Sequence, residues 1–134
     1  ERIQERAFRL LVNDHESDYD QLLTKVNKPT LEIRRLKFLA TEIFKTINNL
    51  NPPYMKEIFE LNTRRDNADN KLIVQSQHSM KYGSYTLRSL GPRIWNKLPV
   101  DIRNCNSLLN FRELLKAWSG PKCHCNSCKF LGIC

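Results

Sequence analysis

Apolar residues recur along the first sixty positions in a helical rhythm. Between Arg2 and about Asn13, Ile3, Ala7, Leu10 and Leu11 share one face with Phe8 beside it, which predicts an amphipathic helix burying those four positions. No capping residue precedes it, so it reads as the continuation of a helix that starts earlier. A shorter helix is predicted with Ser17 or Asp18 as cap, carrying Tyr19, Leu22, Leu23 and Val26. Lys28-Pro29 stops it, because proline pushes the preceding residue out of the α region. The third helix is the clearest. Thr30 caps a run from Leu31 to about Asn49 in which Leu36, Leu39, Ile43, Ile47 and Leu50 form one stripe, flanked by Ile33, Ala40 and Phe44. Arg34, Arg35, Lys37 and Lys45 fall mostly off that stripe. Asn51-Pro52-Pro53 ends it, and Pro53 opens a short helix with Met55, Ile58 and Phe59.

The rhythm then breaks. Residues 62–70 read NTRRDNADN, a polar, turn-prone stretch that is the best candidate boundary. Beyond it, Leu72-Ile73-Val74 and Tyr85-Thr86-Leu87 are predicted as the two short strands of a hairpin. Gly91-Pro92 precedes Arg93-Ile94-Trp95-Asn96-Lys97-Leu98-Pro99, a turn of helix anchored by its aromatic residue. Ser107 caps a last helix in which Leu108, Phe111, Leu115 and Trp118 recur at i, i+3, i+7 and i+10. Ser119-Gly120-Pro121 closes it. The expected fold is mainly α: an N-terminal helical bundle (1–61), a polar linker with a strand (62–81), a basic helical region (82–119) and a cysteine-rich tail (120–134).

Composition sharpens this picture. With 40% hydrophobic residues the chain can build a core, which argues against global disorder. No apolar run approaches the roughly 20 residues of a membrane span, and no signal peptide opens the chain; an intracellular protein of the cytoplasm or nucleus, without a membrane partner, is expected. Beginning at Glu1 rather than Met, the chain reads as a piece of a longer protein. The net charge of +8 is unevenly placed: residues 1–60 carry 10 Lys+Arg against 10 Asp+Glu, whereas residues 61–134 carry 12 against 4. A basic half joined to a neutral one points to a polyanionic partner, RNA or DNA.

Catalytic signatures are missing. Polymerase-type phosphoryl transfer needs clustered carboxylates holding two metal ions about 4 Å apart, and the sequence has no Asp-Asp pair; Ala68-Asp69-Asn70 lacks the second carboxylate. The Asp14–Asp20 acidic cluster lies across a helix start, where carboxylates complement the dipole. His15 and His78 have no patterned partner, no serine elbow occurs, and the four glycines form no phosphate-cradling loop. The chain is not expected to be an enzyme.

Two features carry chemistry of another kind. Cys123, His124, Cys125 and Cys128 lie within six residues, with Cys134 after a short gap, while Cys105 stands alone. Thiolate and imidazole suit zinc, so Cys123, Cys125, Cys128 and Cys134 are candidate ligands with His124 as a substitute, although the spacing matches no common finger. Between Lys81 and Lys97, Tyr82, Tyr85 and Trp95 alternate with Lys81, Arg88, Arg93 and Lys97. Cations on phosphates and aromatic faces under bases grip nucleic acid. Trp95, with Ile94 and Leu98, is better read as a packing anchor. Arg64, Arg65, Lys81, Arg88, Arg93 and Lys97 are the candidate contacts.

In order along the chain, Glu5-Arg6-Ala7-Phe8-Arg9-Leu10, Asp14, Tyr19, Leu22-Leu23, Arg34-Arg35-Leu36, Phe44-Lys45 and Leu50-Asn51-Pro52-Pro53-Tyr54-Met55 resemble the segment after the polymerase palm in non-LTR (LINE-class, jockey-like) retrotransposon reverse transcriptases. The second half is similar too, through Tyr82-Gly83, Leu87-Arg88-Ser89-Leu90-Gly91-Pro92, Trp95-Asn96-Lys97-Leu98-Pro99, Ile102-Arg103, Ser107-Leu108 and Phe111-Arg112, and so is the cysteine tail. The resemblance covers nearly the whole chain, by motifs that are individually weak but ordered. It implies a thumb-like segment to about Leu61 followed by a region associated with RNA or target-DNA binding. The parent's palm would be a packing partner, and polymerase activity would belong to the parent, because fingers, palm and catalytic aspartates are missing. Two alternatives are a structural relic without independent activity and a zinc-stabilised protein-interaction module.

Overall fold

In the computed structural model, which describes residues 2–62, 70–75 and 86–120, the protein is mainly helical. The helices are α1 (Arg2–Val12), α2 (Tyr19–Val26), α3 (Leu31–Ile47), α4 (Leu87–Lys97), α5 (Val100–Arg103) and α6 (Leu108–Ala117), with a 3-10 turn at Pro53–Ile58. Two compact units divide between Arg35 and Leu36.

The first three helices end in the same way. Asn13, Asn27 and Asn49 each adopt the left-handed conformation, with φ of 53°, 52° and 58°. The following N–H then reaches back to satisfy a carbonyl in the last turn: Asp14 to Arg9 (3.1 Å), Lys28 to Leu23 (3.1 Å) and Leu50 to Lys45 (2.8 Å). Asparagine takes this conformation more readily than other side chains do, and the returning bond closes the helix. The starts are equally local. The Thr30 hydroxyl accepts from the Ile33 N–H at 3.3 Å, and the Gln21 carboxamide oxygen accepts from the Asp18 N–H at 3.2 Å.

In the first unit α1 packs against α2, which buries Leu22 and Leu23. The side of α1 turned inward differs from the expected one. Gln4 is buried, with its oxygen accepting from the Tyr19 hydroxyl at 3.3 Å, while Ile3, Leu10 and Leu11 are 86, 77 and 73% exposed. Ala7 is exposed with them. The apolar face is real, but nothing within this unit covers it. Between the helices, Asp14 accepts from the Lys25 ammonium, from the Ser17 hydroxyl (2.6 Å) and from the Ser17 and Glu16 N–H groups (3.0 and 3.1 Å). These donors, Lys25 first, hold its carboxyl well below the usual carboxylate range. The ionic turn therefore persists at neutral pH and is lost only as pH falls through that lowered value.

The second unit holds the main core. Leu36, Ala40, Ile43 and Phe44 of α3 pack with Phe59, Leu72, Ile94, Trp95, Leu98, Ile102, Phe111, Leu115 and Trp118. Phe44 and Phe111 stack with ring centroids 4.3 Å apart, and Trp95 lies 6.1 Å from Phe111. Residues on both sides of the 62–70 stretch thus share one interior. Leu50, expected in the α3 stripe, is exposed because Asn49 ends the helix before the stripe reaches it.

Among the described residues there is no strand. Leu72 forms an isolated antiparallel bridge with Leu61, flanked by hydrogen bonds from Asn62 N–H to Lys71 (3.0 Å) and from Ile73 N–H to Glu60 (2.9 Å). The expected pairing of Leu72-Ile73-Val74 with Tyr85-Thr86-Leu87 meets a different geometry at its far end. Thr86 occupies the N-cap of α4 and Leu87 opens that helix; Tyr85 lies outside the described residues. Gly91-Pro92, expected ahead of a single helical turn, lies inside α4. Leu87, Leu90, Ile94 and Trp95 sit at helical spacing across it, and burying that side against α3 outweighs the poor helix propensity of the pair. Gly91 is needed there: a Cβ at this position would lie 2.6 Å from Cε1 of Phe59.

Candidate nucleic-acid interface

Helix α4 carries three of the six candidate contact residues. Arg88 and Lys97 are exposed and Arg93 is half-buried. Arg93 and Lys97, four positions apart, are neighbours on one side of the helix. Arg88 lies five and nine positions before them, a rotation of roughly 140° and 180° from each at about 100° per residue. The three cations therefore do not make a single stripe. The remainder of α4 explains why: Ser89, Gly91, Pro92, Ile94 and Trp95 are buried, so the helix gives its central face to the core. Arg64, Arg65 and Lys81 lie outside the described residues, as do Cys123, His124, Cys125, Cys128 and Cys134. Among the described residues no group of three or more His, Cys, Asp or Glu could hold a metal ion.

The Trp95-Asn96 pair has a structural task. The Trp95 indole N–H donates to the Asn70 carbonyl at 2.7 Å, and the ring is buried, as its reading as a packing anchor requires. The Asn96 carboxamide brackets Leu72 from both directions, accepting its N–H at 2.9 Å and donating to its carbonyl at 2.8 Å. One amide thereby does for Leu72 what a neighbouring strand would do, satisfying backbone groups that burial would otherwise leave costly. Arg103 is also occupied. It is buried, and its guanidinium donates to the Asn96 carbonyl at 3.0 Å, near the negative end of α4. Sequence spacing alone does not separate such an arginine from those at the surface; its place between the apolar Ile102 and Cys105 is the one available hint.

Lys37 plays a similar part, donating to the Lys116 carbonyl at the end of α6 at 2.8 Å, while burial pushes the pKa of its ammonium down. The Cys105 thiol donates to the Asp101 carbonyl at 3.3 Å; burial, then the Asp101 charge, pushes its pKa up, away from reactivity. Among the described residues of the second half, the exposed cations are Lys71, Arg88, Lys97, Arg112 and Lys116, and the exposed carboxylates are Asp101 and Glu113. Such a surface is suited to sequence-tolerant attraction of phosphate.

Comparison of the chain with known protein families, with curated proteins and with solved structures finds no match in any of the three. No helix among the described residues is long and apolar enough to cross a membrane.

Proposed function

We propose that this chain is a non-catalytic C-terminal piece of a non-LTR retrotransposon reverse transcriptase, contributing RNA or DNA contact rather than bond chemistry. The observation that carries the reading is the charge asymmetry, 12 cations against 4 carboxylates past residue 60. Exposed Lys71, Arg88, Lys97, Arg112 and Lys116 belong to its described part. The ordered motifs of the resemblance supply the family, with residues 1–61 as the thumb-like segment. The exposed apolar face of α1 is where the parent's palm would pack, as a helix stripe of this kind is normally covered.

The test is a salt titration with the purified chain and an RNA–DNA hybrid. If about six cations contact phosphate, affinity falls roughly 10³-fold between 50 and 200 mM salt. Curves that stay flat, or no binding at low salt, remove the reading.

The same exposed face of α1 favours one second reading, a structural remnant whose apolar stripe only records former packing. Aggregation of the isolated chain together with failure to bind the hybrid is the outcome that selects it.

A further inference from the structure

We draw no further inference here: the strongest candidate, the N-terminal end of α4 with exposed Arg88 and the buried, unpartnered hydroxyl of Ser89, carries nothing, because nothing in the structure directs that hydroxyl toward the helix end.

Discussion

Helix α3 buries Leu36, Ala40, Ile43 and Phe44, whereas the apolar side of α1, Ile3 with Leu10 and Leu11, faces solvent. In the sequence the two helices look alike: each places aliphatic residues at helical spacing and keeps its arginines mostly to one side. What separates them is supply. α3 meets Trp95, Phe111, Leu115 and Trp118, large side chains from α4, α6 and the end of α6, and its stripe becomes the centre of a core. α1 meets α2, which is eight residues long and contributes Leu22 and Leu23. Periodicity reports which residues share a face; whether the face is covered depends on what the rest of the chain brings to it.

The largest effect that can break this contrast lies in the core. Phe111→Ala removes the ring stacked on Phe44 and should cost about 3–5 kcal/mol, read as a lower urea midpoint with an unchanged slope. A cost below about 1 kcal/mol would mean that the α3 stripe is no better covered than that of α1. Asn96→Ala comes next. It strips both partners from the Leu72 backbone, and about 1–3 kcal/mol should be lost. Faster amide exchange at Leu72 should accompany that loss; exchange as slow as in the wild type would show that the bracket is idle. The smallest change is expected at α1. Leu10→Gln and Leu11→Gln should each stay within about 0.5 kcal/mol, as substitutions at uncovered surface do. A loss above about 1.5 kcal/mol for either would show that α1 is covered in the isolated chain and that the contrast is false.

Much of the helical framework is legible in the sequence because its determinants are local. Thr30 and Asp18 bond within their own first turns, as their reading as caps requires, whereas α2 and α3 close at left-handed Asn27 and Asn49, ahead of the prolines expected to stop them. The Leu108, Phe111, Leu115, Trp118 rhythm of α6 transfers intact into the core, because each of those residues finds a partner there. Where the reading fails, long-range packing decides. Gly91-Pro92 looks like a stop until Phe59 is seen to occupy the space of a side chain at Gly91. Leu72 looks like a strand residue in need of a second strand, because nothing in the spacing reveals that a side-chain amide 24 residues away will serve. The candidate interface is legible in its charge but not in its layout. Arg88, Arg93 and Lys97 are close in sequence, yet a helix distributes them around its circumference.

The grip of Asn96 on Leu72 also makes this fold sensitive to slow chemical ageing. Hydrolysis of that one amide to a carboxylate changes the side chain by a single functional group, but aspartate can only accept. The bond from the Leu72 N–H would survive, while the bond to its carbonyl would become a repulsion between two oxygens 2.8 Å apart in the parent geometry. A protein left to deamidate should therefore loosen around Leu72 before its helices show any loss.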